Sequence, residues 1–115
     1  MTQIEMIYDN NIIIGFKMEG HAGFNMKGPD ILCASLSTAS QMTINGVLDW
    51  TGLSVEDIVK KEDRKKAILH VLIPFNLHVP TATQQLLRSF EMYVEQLSEM
   101  YSENIKLERR QRDDN

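Results

Sequence analysis

The chain has a single cysteine, Cys33, among 115 residues. No internal disulfide can form, and that usage fits a reducing compartment. No apolar run approaches the ~20 residues of a membrane span, and no basic-then-apolar opening directs export. We therefore expect a cytoplasmic protein with no membrane partner. An excess of positive charge is also missing: 12 Lys and Arg stand against 16 Asp and Glu, for a net charge of −4. With a pI near 5.3, nucleic-acid binding is not expected as the main activity. Internal repeats, low-complexity segments and linkers are lacking as well. Metal-ligand spacing is the last absence. The candidate donors Cys33, His21, His70 and His78 form no Cys-x-x-Cys or His-x-x-x-His pair, so neither metal nor cofactor is expected.

What is present suits one domain with one modest core, since 43% of the residues are hydrophobic. We place that domain at residues 1–107 and read Glu108 to Asn115 as a disordered charged tail. Ile4, Met6 and Tyr8 alternate with polar residues as a first strand. After the turn Asp9-Asn10-Asn11, Ile12, Ile14, Phe16 and Met18 form a second, hairpinned to it. A helix is expected from Ile31 to about Trp50, burying Leu32, Leu36, Ala39, Thr43, Val47 and Trp50, with Gly52 as terminator. Residues 53–66 read two ways. Ser54-Val55-Glu56-Asp57 matches a capping box and Lys60 to Lys66 tolerate helix, yet Ala67 to Pro74 read as a buried strand, with His70 packed or at an edge. The basic cluster Lys60, Lys61, Arg64, Lys65 and Lys66 is foremost a solvated turn and edge. Thr81-Ala82-Thr83-Gln84 opens a further helix as a capping box, with Leu86, Phe90, Tyr93, Leu97 and Met100 or Tyr101 on one face. Ile105 and Leu107 suggest a short last strand.

Chemistry concentrates between Gly20 and Ser37. Asp30 is a good N-cap following Pro29, which would put Cys33 at the third helical position, among amides without an intrahelical partner. That location favours a thiolate by only about 0.3–1 kcal/mol. An ordinary thiol, with a pKa of about 8.5, is mostly protonated at neutral pH. A nucleophile here needs a base, and His21 is the candidate, because an imidazole titrates near ~6.5. Strand parity alone would aim His21 toward the face of Lys17 and Glu19, away from the core. Gly20 has the backbone freedom to re-aim it. Gly23 and Gly28 give the intervening loop flexibility, and Phe24 and Met26 offer apolar contacts to a bound peptide. Amides at Cys33 and Ala34 would face the oxyanion. Ser37, at four residues beyond Cys33, shares its helix face.

These residues carry a resemblance. Gly20-His21-Ala22, Gly28, Asp30-Ile31-Leu32-Cys33-Ala34 and Ser37 match the signature of the ribosomal-processing cysteine proteases called Prp, and Tyr101-x-x-Asn104-Ile105-x-Leu107 extends the match. Leu32 stands where valine is commoner. The resemblance implies a two-layer α/β fold, a mainly antiparallel sheet carrying two long helices in the order β-β-α-β-β-α with a short final strand. It favours a hairpin over residues 53–74, turning near Glu62-Asp63-Arg64. It further implies a homodimer and a His21/Cys33 dyad supported by Gly20, Asp30, Ala34 and Ser37. The implied substrate is the precursor of large-subunit ribosomal protein 27, whose N-terminal extension is removed during ribosome maturation. Two other classes compete: a non-enzymatic ribosome-associated binding module contacting through the basic hairpin, and a structural homodimer in which Cys33 merely packs.

Overall fold

The computed structural model of the chain describes residues 1–21, 27–74 and 81–112. Two strands, β1 (Thr2–Asp9) and β2 (Ile12–Glu19), form the expected hairpin. Asn10 takes φ +57° in its turn, a left-handed conformation that asparagine tolerates. The hairpin is not regular. Ile7 faces Gly15 while Tyr8 faces Ile13, so Ile14 is an extra, bulged residue. The bulge overturns the simple alternation expected of β2: Ile13 joins Phe16 in the main core cluster, while Ile14, equally buried, lies outside that cluster. The Ile14 carbonyl accepts the Ile73 N–H at 2.8 Å. Gln84 serves the disturbed ladder from outside, accepting from the Ile13 N–H at 2.9 Å and donating to its carbonyl at 2.7 Å.

Helix α1 (Lys27–Thr51) starts a turn earlier than Asp30 predicts. Pro29 falls at its third residue, where a missing N–H costs no hydrogen bond, so proline does not delay the start. Gly52 ends it at φ +74°, its N–H donating to the Leu48 carbonyl at 2.8 Å. Leu32, Leu36, Thr43 and Val47 are buried as expected, whereas Trp50 is 59% exposed and lies outside the core.

The uncertain middle resolves into both readings in succession. A single turn, α2 (Val55–Ile58), is closed by Asp57, whose carboxylate accepts from the Ser54 N–H at 2.9 Å and from its hydroxyl at 3.0 Å. Strands β3 (Val59–Asp63) and β4 (Ile68–Leu72) then form the hairpin. Helix α3 (Thr81–Met100) follows, and its buried stripe is Leu87, Phe90, Val94 and Leu97. That stripe is rotated from the expected one, leaving Tyr93, Met100 and Tyr101 exposed. The final strand, β5 (Ile105–Gln111), runs well past Leu107. The charged segment from Glu108 is therefore strand through Gln111 and not a tail, because it pairs in parallel with β1 and its arginines find carboxylates on either side.

The sheet order is β3-β4-β2-β1-β5, antiparallel except for β1 beside β5. Both long helices cover one face of it. Phe16 of β2 and Phe90 of α3 meet with ring centroids 4.5 Å apart at the centre of that layer. Gly15 is required where β2 meets β4: a Cβ there would lie 2.2 Å from the Val71 carbonyl oxygen. This is the two-layer α/β architecture expected, with one short helix added.

Candidate active site

The end of β2 and the second turn of α1 open onto one cleft of about 430 Å³. His21, Cys33, Ser37, Gln41 and Arg64 are among the residues lining it. On α1, Cys33, Ser37 and Gln41 are spaced by four and so share a face. Cys33 is half-buried and packs against the edge of the hydrophobic core. Its position differs from the sequence expectation. With α1 beginning at Lys27, Cys33 is the seventh helical residue, and the Cys33 and Ala34 N–H groups lie inside the hydrogen-bonded part of the helix. They are not available as oxyanion donors, and the dipole effect falls off within the first turn. A thiolate nucleophile at this position would need a neighbouring side chain to form it.

His21 reaches the same cleft because the chain turns sharply before it. Gly20 adopts φ +91°, a region closed to most side chains. It is gripped from three sides: its N–H donates to the Ala67 carbonyl at 3.0 Å, its carbonyl accepts from the Thr2 hydroxyl at 3.0 Å, and a Cβ on it would meet the Met1 carbonyl oxygen at 2.6 Å. The turn sends His21 into the cleft shared with Met18 and Cys33 rather than to the opposite sheet face with Lys17. Its Nε2 lies 3.3 Å from the carbonyl oxygen of Lys65, in the β3–β4 turn.

The other histidines are placed differently. His70 sits on the interior strand β4 and pairs with Glu19 at 2.7 Å, away from the thiol. His78 lies outside the described residues, as do Gly23, Phe24 and Met26. Gly28 belongs to the first turn of α1, as does the backbone of Asp30. Ala34 is exposed and is not among the residues lining the cleft. Among the described residues no group of three or more His, Cys, Asp or Glu is placed to hold a metal. A second cavity, of about 510 Å³, lies across the sheet among Ile7, Ile14, Lys17, His70, Arg110 and Arg112. It offers cations and apolar surface but no nucleophile.

One wall of the cleft was missed by sequence reasoning. Thr2, Glu62, Asp63, Arg64 and Ala67 line it, supplied by the start of β1 and by the β3–β4 hairpin. The turn itself was legible near Glu62-Asp63-Arg64, but its contact with His21, 44 residues away, was not.

A thiol and an imidazole sharing one cleft are the makings of a cysteine hydrolase. The family model described as cysteine protease Prp matches residues 1–106. The chain belongs to that family. It is thus a peptide-bond hydrolase of the cysteine type. No curated protein matches the chain. Among solved structures it is similar to SMU.848 from Streptococcus mutans, at 21% identity and a TM-score of 0.85, covering 97% of this chain and 96% of that one. It is also similar to the essential ribosomal processing protease Prp from S. aureus in complex with a substrate peptide. There the identity is 23% and the TM-score 0.78, covering 95% of this chain and 99% of that one. The same S. aureus protease with a covalently linked product peptide gives 24% identity and a TM-score of 0.76 over the same shares. These likenesses establish the fold, and the family match establishes the reaction class. None of the helices among the described residues is long and apolar enough to cross a membrane.

Proposed function

We propose that the protein removes the N-terminal extension of large-subunit ribosomal protein 27 during ribosome maturation, using a Cys33/His21 dyad. The observation that carries this reading is the shared cleft of the thiol and the imidazole. In the proposed mechanism His21 takes the proton from Cys33, and the thiolate adds to the scissile carbonyl. The resulting imidazolium protonates the departing amine as the C–N bond breaks, leaving a thioester on Cys33. Water, deprotonated by His21, then hydrolyses that thioester and regenerates the thiol. Ser37, on the cleft-lining face of α1, supports the bound chain. Gly23, Phe24 and Met26, between His21 and α1, contact it, with Gly28 at the start of the helix. Asp30, three residues before the thiol, orients the site.

The substrate assignment is supported by the family match and by the fold shared with the S. aureus ribosomal processing protease. We assign the protein to the cytoplasm, where ribosomes mature. We also propose a homodimer: Met92, Tyr93 and Met100 on α3, with Tyr101 just after it, leave apolar surface that a small core does not use, and a second copy would cover it.

The test is the mass of the purified precursor before and after incubation with the wild-type protein, Cys33→Ala and Cys33→Ser. Wild type should shorten the precursor at one bond, and both variants should lose about four orders of magnitude in rate. A precursor held but uncut would favour the binding module instead. A precursor neither held nor cut would reduce Cys33 to packing.

A further inference from the structure

We infer that the β3–β4 turn is the positioning element of the dyad: Asp63 holds the turn so that the Lys65 carbonyl engages Nε2 of His21 and leaves Nδ1 as the nitrogen that takes the thiol proton. The inference rests on the dyad proposed above. His21 is exposed at the end of β2, so little packing fixes its ring. Two contacts with one turn replace that packing. The Gly20 N–H donates to the Ala67 carbonyl at 3.0 Å, fixing the backbone just before the ring. The Lys65 carbonyl lies 3.3 Å from Nε2, fixing the ring itself. A carbonyl oxygen only accepts, so Nε2 carries the hydrogen and the lone pair of the neutral ring falls on Nδ1. Nε2 stays a donor when Nδ1 gains a proton, so the contact persists through the proton transfer.

The turn is built to present that carbonyl. Asp63 accepts the Lys66 N–H on its Oδ1 at 3.1 Å, the local bond by which an aspartate stabilises a turn. The Arg64 carbonyl accepts the Ala67 N–H at 3.3 Å. Ala67 closes the turn at φ +53°, a left-handed conformation uncommon for alanine. Strain kept at a residue whose carbonyl holds Gly20 is the pattern of a functional constraint. Glu62, Asp63 and Arg64 are the charged side chains that line the cleft with His21 and Cys33.

The experiment is the rate of Cys33 alkylation by iodoacetamide at neutral pH, which reads the thiol–imidazole coupling without any substrate. Asp63→Ala should slow it about fivefold, the worth of one hydrogen bond. Asp63→Asn, whose Oδ1 still accepts from Lys66, should restore most of the rate. In a His21→Ala background, Asp63→Ala should have no further effect, because its action runs through the ring. Equal slowing in both backgrounds would overturn the inference. An unchanged rate in Asp63→Ala, beside a slowed His21→Ala, would overturn it while leaving the dyad intact. No effect of His21→Ala would remove the dyad and this inference together. Should Asp63→Ala fail to fold, long-range proton–nitrogen spectra of the wild-type His21 ring decide the matter: a hydrogen on Nε2 is expected, and one on Nδ1 refutes the assignment.

Discussion

The two ends of the sheet use polar residues in opposite ways. At the β1–β5 end, side chains of opposite charge close on one another. The Tyr8 hydroxyl donates to Glu91, Arg109 donates to Glu91 at 3.0 Å and to Glu95 at 2.6 Å, and Arg110 pairs with Glu5 at 3.0 Å. Burial opposes the charge on Arg109, yet Glu95 and Glu91 outweigh it and raise its pKa. Burial and the Glu91 carboxylate likewise push the Tyr8 phenol up. At the β3–β4 end, no hydrogen bond or ion pair among the described residues engages the side chains of Gln41, Glu62 or Arg64, although all three line the cleft. That end also holds two residues in the left-handed region, Gly20 and Ala67. A closed network fastens the last strand to the molecule. Polar groups left facing a cleft, on a backbone held in unusual conformations, are what binding and catalysis need.

The sharpest way to break this contrast is Gly20→Ala. A methyl group there would meet the Met1 carbonyl oxygen at 2.6 Å in a backbone conformation that alanine resists. We expect a loss of about 2–4 kcal/mol of stability. Precursor cleavage should fall further than the unfolded fraction accounts for, since His21 would be re-aimed. Denaturant melts and cleavage assays on one preparation separate the two effects. Near-wild-type values in both would mean that the β2 terminus is not strained for function.

The same two ends differ in how far they can be read from sequence. The motif residues Gly20, His21, Cys33 and Ser37 were identifiable because their types and order are local, and all four line the cleft. The strands and helices were legible where hydrophobic period and burial agree, as in Leu32, Leu36 and Val47. The bulge at Ile14 was not, because an extra residue arises from pairing with another strand and leaves no mark in composition. The continuation of β5 past Leu107 was hidden for a related reason. Glu108, Arg109 and Arg110 look like a solvated tail until Glu5, Glu91 and Glu95 are brought beside them. The start of α1 was misplaced because Asp30 and Pro29 satisfy the rules for a boundary, yet the same residues fit a first turn. Long-range pairing decides each of the cases involving the sheet, including the β3–β4 wall of the cleft.

A smaller effect is expected from Arg109→Ala at the closed end. The substitution leaves Glu91, whose side chain is 13% exposed, with Tyr8 as its remaining partner in this network. Arg109 itself is 45% exposed, so screening limits the loss to about 1–2 kcal/mol. Urea midpoints should fall, while cleavage at temperatures well below the melt should match wild type. Cleavage that fell alongside the midpoint would show the two ends to be coupled, and the contrast would fail.

The mildest test concerns Asp57, which caps α2 just ahead of β3 and so bears on how the hairpin at the cleft end is anchored. Hydrogen bonds from the Ser54 backbone and hydroxyl hold its carboxyl below the ordinary value of 3.8. A carboxyl with a lowered folded-state pKa adds stability that is complete above its unfolded value. That addition is lost as pH falls through the folded value. Wild type should therefore melt slightly above Asp57→Ala near neutrality, with the two curves converging as pH falls through the lowered folded-state value and the carboxyl becomes protonated in both states. Because Asp57 is fully exposed, the difference should be small, and cleavage near neutral pH should change little. A large drop in cleavage with an unchanged melt would instead place α2 within the working part of the cleft and move the boundary between the two ends.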